Sequence, residues 1–252
     1  MFKTRGFSSR FQLSLSGPLP PDIYSATRLQ EISLPSNNLS GFISDNIVNL
    51  TRLAKLELYG NTLAASYPAI SLTMIDLLEN DFTGNFPASL YSCKSLRAIR
   101  LGGNRLEGEI GTDVVQLKFL SFLSLSDTKL TNITKAIKIL MHCKALNILF
   151  LPGNFLQEAM PTNDNIVGSS GFTNLRLLSL ANCQLTGQLP IWLSKLKNLE
   201  VLFIHGNRIR GSIPGWLSTL PKLFFLDLDN NLLSGEFPKE LCALPALVSH
   251  NL

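Results

Sequence analysis

The residue types best suited to metal binding, redox chemistry and catalysis are scarce in this chain of 252 residues, which has four cysteines and three histidines. They are Cys93, Cys143, Cys183 and Cys242, with His142, His205 and His250. The sequence contains no Cys-x-x-Cys pair, no phosphate-binding loop and no nucleophile elbow. Gly102 and Gly103 precede Asn104 as in a turn, not at the start of a helix. We therefore expect no catalysis, no metal site and no cofactor.

A second set of residues suits the binding of an extended peptide, because it combines aromatic side chains with hydroxyl and charged groups. The set is Arg100, Ser124, Ser126, Phe150, Ser179, Phe203, His205, Asp227 and Asp229. Apolar side chains can hold those of a ligand, and polar groups can anchor it by hydrogen bonds. This interpretation requires an element that places these residues on one surface.

That element is a repeat. Three equally spaced and directly consecutive stretches, beginning at Leu175, Leu199 and Leu223, superpose on the pattern LxxLxLxxNxLxGxIPxxLxxLxx of the leucine-rich repeat. Within LxxLxL the second and third leucines alternate with other residues as in a strand, so the leucines point inward and the residues between them point outward. One unit cannot bury its leucines alone, so we predict a solenoid whose strands stack in a parallel sheet, about 4.8 Å apart.

An asparagine at the ninth position of the unit is predicted to bond the backbone of its own turn and of the neighbouring unit. It recurs at Asn37, Asn61, Asn80, Asn104, Asn154, Asn207 and Asn231. Thr128 and Cys183 hold this position in two other units. The predicted fold is an α/β repeat of the LxGxIP type, a curved right-handed superhelix. Its parallel sheet lines the concave face, where the candidate ligand-binding residues lie.

Matching the pattern along the chain predicts the domain boundaries. Residues 1–14 lie outside the repeat and are predicted to be disordered, 15–28 form a partial repeat, 29–246 form nine repeats and 247–252 begin a tenth. The unit beginning at Leu53 is shorter than the regular unit, whereas those beginning at Leu120 and Leu146 are longer, and additional residues must leave the solenoid as loops. The polar, Gly/Ser-rich stretch at 161–172 predicts a mobile surface loop.

The repeat also bears on the cysteines. Cys93 and Cys143 fall near the ends of units that are two apart, about 10 Å from each other, which is beyond disulfide reach. We predict that both thiols are free and buried. Three sequons, at Asn38, Asn49 and Asn132, predict N-glycosylation if the chain is secreted.

Charge and hydropathy exclude some classes of partner. The net charge is +4, but the basic residues are scattered along the sequence, which argues against a nucleic-acid or membrane-surface binder. No apolar run approaches the roughly 18 residues of a membrane helix. The first residues lack the apolar run of a secretory signal. We therefore expect neither a signal peptide nor a transmembrane helix in the chain itself.

The segments LTGQLP, IRGSIP and LSGEFP resemble the plant-specific repeat of receptor-like kinases and receptor-like proteins. The irregular stretch ITKAIKILMHCKALNILFLPGNFLQEAMP, with GFTNLRLL and GSIPGWLSTLPKLFFLDLDNNLLSGEFPKEL, is similar to the ectodomains of plant receptors for tyrosine-sulfated peptides. Within that group it most resembles the tyrosine-sulfated glycopeptide (PSY-type) branch, beside the phytosulfokine receptors. The resemblance covers residues 15–252.

The resemblance implies a receptor at the plasma membrane whose extracellular part binds a tyrosine-sulfated peptide hormone on its concave face, with a co-receptor kinase of the somatic-embryogenesis class as a further partner. It implies Arg100 as a sulfate ligand, since arginine offers charge-assisted, forked donors, and Asp227 as an anchor of the pocket. It also implies that the chain is a fragment, because the signal peptide, the N-terminal cap, the island, the membrane helix and the Ser/Thr kinase domain of the family are missing. Attachment to a membrane would then occur only through those missing parts.

Two other interpretations of the chain stay open at this point. The chain can be a free-standing repeat protein that binds another protein as a decoy or inhibitor. It can also be an inactive, truncated gene product.

Overall fold

The computed structural model describes residues 14–64, 72–162 and 171–248, which form short strands, 3₁₀ helices and two α-helices. The strands are β1 (Ser16–Gly17), β2 (Glu31–Ser33), β3 (Asn38–Phe42), β4 (Lys55–Glu57), β5 (Thr62–Ala64), β6 (Met74–Asp76), β7 (Thr83–Asn85), β8 (Ala98–Arg100), β9 (Arg105–Gly108), β10 (Phe122–Ser124), β11 (Lys129–Leu130), β12 (Ile148–Phe150), β13 (Leu177–Ser179), β14 (Val201–Phe203), β15 (Arg210–Gly211), β16 (Phe225–Asp227) and β17 (Leu232–Leu233). The α-helices are α1 (Ile133–Leu140) and α2 (Pro245–Val248). The 3₁₀ helices are Pro21–Ser25, Asp45–Asn49, Ala88–Ser92, Thr112–Gln116, Ile191–Lys195, Gly215–Thr219 and Lys239–Ala243.

The main sheet has nine strands in the order β2, β4, β6, β8, β10, β12, β13, β14 and β16, and every neighbouring pair is parallel. The central residue of each strand points into the core, as shown by Ile99, Leu123 and Leu149, which are fully buried. The flanking residues point outward, because side chains alternate along a strand. The predicted leucine-rich-repeat solenoid with a parallel sheet is therefore confirmed.

Units of unequal length keep the sheet in register. Lys55 pairs with Met74 across the shortest unit, and Ile148 pairs with Leu177 across the longest. In the unit that begins at Leu120, α1 takes the place that a 3₁₀ helix has in the regular units, and it packs against the 3₁₀ helix Thr112–Gln116. The helix forms because its apolar residues share one buried face, which consists of Ile133, Ala136, Ile137, Ile139 and Leu140.

Each of the seven ladder asparagines donates a hydrogen bond from Nδ2 to the carbonyl three residues earlier. Asn104 shows the complete pattern. Its Nδ2 bonds the carbonyls of Leu101 and of Leu77 in the preceding unit, both at 2.8 Å, and its Oδ1 accepts from the N–H of Phe82 at 3.1 Å. The ladder therefore satisfies buried backbone groups of two units with one side chain.

The two other residues at this position bond the same kinds of backbone group. The hydroxyl of Thr128 has one hydrogen and two acceptors within reach, the carbonyl of Leu125 at 3.1 Å and the amide oxygen of Asn154 at 2.6 Å. The thiol of Cys183 lies 3.2 Å from the carbonyl of Ala181 and 3.5 Å from that of Leu151 in the preceding unit. Neither side chain can replace both the donors and the acceptor of an amide.

None of the four cysteines forms a disulfide bond; Cys93, Cys143 and Cys183 are buried and Cys242 is exposed. Burial raises the pKa of the Cys143 and Cys183 thiols to about 11, which keeps both groups protonated and unreactive at neutral pH. Most of the loop predicted at 161–172 lies outside the described residues, as do residues 1–13 and most of the predicted tenth repeat.

Candidate ligand-binding face

The outward side chains of the main sheet form columns, because equivalent residues of neighbouring strands lie side by side in the parallel register. One column, taken from the last residue of each strand, runs Ser33, Glu57, Asp76, Arg100, Ser124, Phe150, Ser179, Phe203, Asp227. A parallel column two residues later includes Ser126, His205 and Asp229. The sheet thus places all nine candidate residues on one surface, and their role in binding stays a prediction.

The first strands of this face carry charges that pair with one another, two carboxylates with one lysine. Lys55 Nζ lies 3.0 Å from Glu31 Oε1 and 3.0 Å from Glu57 Oε2. The hydrogen bond from Lys55 to Glu57 is the main reason why the pKa of Lys55 is raised. Ser33 Oγ donates to Glu57 at 2.8 Å. These polar groups bond to each other across β2 and β4.

Arg100, the cation implied as a sulfate ligand, is paired within the sheet, because its Nη1 donates to Asp76 Oδ2 on the neighbouring strand. The Asp76 side chain is 1% exposed and the Arg100 side chain is 36% exposed. Burial raises the pKa of Asp76, while the backbone N–H of Leu78 and the charge of Arg100 act in the opposite direction. The positive charge of Arg100 is therefore largely compensated within the sheet. Aligning the repeats by their strand positions is the sequence signal that places Asp76 beside Arg100.

The strands from β10 onward present an apolar, mostly aromatic strip. The ring centroids of Phe122 and Phe150 are 6.3 Å apart, and those of Phe203 and Phe225 are 5.2 Å apart. Phe203 also meets His205 edge to face at 6.0 Å. These rings stay partly exposed, and the strip continues along the column formed by the first residue of each strand, through Ile148, Leu177 and Val201. We call these apolar residues the aromatic strip: Phe122, Ile148, Phe150, Leu177, Val201, Phe203 and Phe225.

Small hydroxyl groups lie between the rings. Ser124 and Ser179 are almost fully buried, at 6% and 3% exposure. The Oγ atoms of Ser124 and Ser126 are 3.3 Å apart, within hydrogen-bonding distance of each other. They provide polar positions at the base of the strip.

Negative charge marks the far end of the face. Asp227 Oδ2 lies 2.8 Å from His205 Nδ1, an ion-pair distance at which the two groups do not have the geometry of a hydrogen bond. The other oxygen of Asp227 accepts from the N–H of Asp229 at 3.1 Å. Asp229 is exposed and bonds Asn230 at 2.7 Å. This end of the face therefore favours a ligand group that is cationic or donates hydrogen bonds.

The three sequons lie away from the aromatic strip. Asn38 and Asn49 are exposed, on β3 and at the end of a 3₁₀ helix. Asn132 caps α1, since its Oδ1 accepts from the N–H of Lys135 at 3.1 Å, and its Nδ2 donates to Glu109 at 2.8 Å. A glycan on Asn132 has to displace the contact with Glu109. Glycosylation at all three sites stays a prediction.

Residues 14–64, 72–162 and 171–248 offer neither of two other kinds of site. This part of the chain holds no cluster of three or more His, Cys, Asp or Glu side chains that could bind a metal ion. None of its helices combines the length and the apolar composition needed to span a bilayer.

A family model described as leucine rich repeat matches residues 173–233. The chain is a leucine-rich-repeat solenoid. Over 84 residues, 33% of the chain, it is 44% identical to receptor-like protein 3 of Arabidopsis thaliana, of which it covers 11%. Over 75 residues, 30% of the chain, it is 47% identical to phytosulfokine receptor 1 of the same plant, of which it covers 7%. The matched segments are thus small parts of these relatives.

Solved structures match nearly all of the solenoid. A crystal structure of a TDR receptor has a TM-score of 0.78 and 28% identity, covering 92% of this chain and 40% of that one. A plant peptide hormone receptor, RGFR1 in complex with RGF2, has a TM-score of 0.59 and 27% identity, covering 92% of this chain and 44% of that one. The leucine-rich-repeat solenoid is therefore similar to plant receptors with the same repeat, and these comparisons indicate no catalytic family.

Proposed function

We propose that the outward face of the main sheet binds an extended peptide and that the chain belongs to the extracellular part of a plasma-membrane receptor. The aromatic strip is the observation that carries this proposal. Its rings are partly exposed on strands held by a rigid core, so an apolar side chain of a ligand can bury them without reorganising the sheet. The related receptor solved with its peptide hormone supports this use of the fold.

The dimensions of the face limit the length of the peptide. Five strand spacings separate β8 from β16, which corresponds to about 24 Å. An extended chain advances about 3.3 Å per residue, so about seven ligand residues span the distance from Arg100 to Asp227. Along this path the ligand meets a partly exposed guanidinium, then the aromatic strip and finally two carboxylates.

We assign the ligand to the tyrosine-sulfated peptides of the PSY-type branch. The resemblance of residues 15–252 and the identity to phytosulfokine receptor 1 support this class. Arg100 directs one N–H at Asp76, and its guanidinium has further donors for a sulfate. Because Asp76 compensates the charge of Arg100, hydrogen bonding contributes more to sulfate recognition than net attraction does. In this proposal a co-receptor kinase completes the signalling complex.

The test measures the affinity of the purified chain for matched libraries of peptides with sulfated and unsulfated tyrosine. We expect the variants Phe150→Ser and Phe203→Ser to weaken binding by about ten-fold or more each, because burial of a ring is lost. Phe42→Ser is the matched control, since Phe42 is 66% exposed on β3, outside the main sheet. Circular dichroism checks that the variants are folded.

The outcomes separate the parts of the proposal. Unchanged affinity in both strip variants, or no binding of either library, contradicts peptide binding by this face. Equal affinity for sulfated and unsulfated peptides, with the strip variants still impaired, removes only the sulfated class. A preference for sulfate that is unchanged in Arg100→Ala removes Arg100 from the site.

A further inference from the structure

Lysines and arginines that look scattered in the sequence line up along one edge of the solenoid. Each repeat unit begins with a leucine, and the two residues before that leucine form a turn. From the unit that begins at Leu29 to the one that begins at Leu223, eight such turns lie among the described residues. Seven of them contain a basic residue, and none contains an acidic one. The seven are Arg28, Arg52, Lys94, Lys118, Lys144, Lys197 and Lys222, all exposed. We call this row the basic edge.

Several of these side chains are held in place by neutral groups of the adjacent unit. Lys94 Nζ donates to the amide oxygen of Gln116, and Lys222 Nζ donates to that of Asn198 at 2.7 Å. Bonds to neutral acceptors restrict the lysines but do not cancel their charge. At Lys94 the row therefore presents ordered positive charge, while Lys222 also lies near Glu200, whose pKa is lowered mainly by Arg176 and in part by Lys222.

Two other exposed parts of the molecule differ from the basic edge. Beside the row, Arg176 is paired with Glu200 through two bonds of 2.8 Å. On the opposite edge, Arg105 lies 2.7 Å from Asp81, and Lys135 is paired with Glu109. These three cations are thus paired with carboxylates, whereas Lys94 and Lys222 donate to neutral acceptors.

We propose that the basic edge binds a linear anionic polysaccharide of the uronic acid type, which carries one carboxylate on every sugar ring. The turns follow the stacking of the strands, so their cations recur at a spacing of about 4.8 Å, except before Leu72 and Leu175, where the two preceding residues are not basic. A uronic acid polymer carries a carboxylate on every ring, so it offers repeated partners to the row from unit to unit. This site is separate from the outward face of the main sheet and does not depend on its ligand.

Other anionic partners fit the row less well. An extended acidic peptide advances about 3.3 Å per residue and alternates its side chains, so its carboxylates face one side only about every 7 Å. A folded protein partner needs several apolar anchors, whereas the described turns offer one aromatic side chain, Phe119. The guanidinium of Arg97 already lies over that ring, 5.3 Å from its centroid.

The test measures binding of the chain to polygalacturonate, to its fully methyl-esterified form, to poly-glutamate and to vesicles containing phosphatidylserine. We expect binding to polygalacturonate that weakens with added salt, because the interaction is between exposed charges, and no binding to the esterified polymer. The triple variant Arg52→Glu, Lys94→Glu, Lys118→Glu should lower the affinity by about ten-fold or more.

The matched control is Lys129→Glu, Arg208→Glu, Arg210→Glu, which makes the same charge change outside the basic edge and should leave the affinity within about two-fold. An equal loss in both triple variants means that net charge alone is responsible and overturns the proposal. Tighter binding to poly-glutamate or to the vesicles overturns the choice of polysaccharide. Circular dichroism distinguishes loss of binding from loss of fold.

Discussion

The carboxylate of Asp76 is buried in a face that is otherwise open to a ligand. Its environment combines desolvation, the N–H of Leu78, the guanidinium of Arg100 and the negative charge of Glu57. Desolvation is the largest of these effects, so the pKa of Asp76 is raised above its ordinary value of 3.8. The folded state therefore holds this proton more tightly than the unfolded state does.

This difference predicts how Asp76 affects stability at different pH. Its contribution to the free energy of unfolding is fully present below pH 3.8, the value for the unfolded chain, and is lost as the pH rises through the raised pKa of the folded state. The stability of the wild type relative to Asp76→Asn should therefore increase as the pH is lowered through this window. Urea unfolding of both proteins at several pH values measures the difference, and a constant difference contradicts the prediction.

A second variant sharpens this test. Arg100→Gln removes a positive charge that lowers the pKa of Asp76. The window should then move to higher pH, while the direction of the effect stays the same. A shift to lower pH means that Arg100 does not act on Asp76 as the geometry indicates.

At the residue scale the sequence predicted which way side chains point better than it predicted which residues they pair with. The strand pattern predicted that Arg100, Phe150 and Phe203 point outward, because alternation requires only the positions of the leucines. The pairing of Arg100 with Asp76 could not be read from either residue alone. It depends on the register between two neighbouring units and on the side-chain conformation that brings Nη1 to Oδ2.

At the scale of the element, the ladder is the feature whose loss should be most costly. Asn104→Ala leaves the buried carbonyls of Leu77 and Leu101 and the N–H of Phe82 without their side-chain partner. Each unsatisfied buried group costs about 1–3 kcal/mol, so we expect a loss of about 3 kcal/mol or more in the free energy of unfolding.

Urea unfolding followed by circular dichroism measures this loss. Asn46→Ala is the matched control, because Asn46 is exposed and should change stability by less than about 0.5 kcal/mol. A cost of less than about 1 kcal/mol for Asn104→Ala would show that water or a shift of the turn replaces the ladder bonds.

The repeat pattern predicted the strands and their parallel order, since both follow from the spacing of leucine. It did not predict α1. The helix starts after the capping residue Asn132, at a point where the irregular unit no longer follows the regular spacing, and the apolar residues that form it are not part of the repeat pattern. It also missed the basic edge. Residues that are neighbours in space are about one repeat apart in the sequence, and a scan for local charge clusters cannot detect them.

At the scale of the whole molecule, each unit contacts mainly its neighbours, so the stability of one unit depends on the units stacked beside it. Leu149 is fully buried on β12, near the middle of the main sheet. Leu149→Ala should lower the free energy of unfolding by about 2–5 kcal/mol through loss of burial and the cavity left behind. Leu156→Ala is the control, because Leu156 is 57% exposed and its replacement should cost less than about 0.5 kcal/mol.

Two spectroscopic signals measure unfolding in different parts of the chain relative to Leu149. The fluorescence of Trp192 and Trp216 follows later units, and far-ultraviolet circular dichroism follows the whole chain. If the units unfold together, both transitions should shift to lower urea concentration by the same amount in Leu149→Ala. A shift in circular dichroism alone means that the solenoid unfolds in separate blocks.

The alternation of inward and outward side chains along each strand also has a consequence for evolution. Residues such as Phe150 and Phe203 can mutate without disturbing the leucines beside them, so ligand specificity can drift while the scaffold is conserved. Arg100 and Asp76 are an exception, because loss of one leaves a buried charge or an orphaned cation on the next unit. We expect that pair to change together in descendants of this gene, whereas the aromatic positions diversify one at a time.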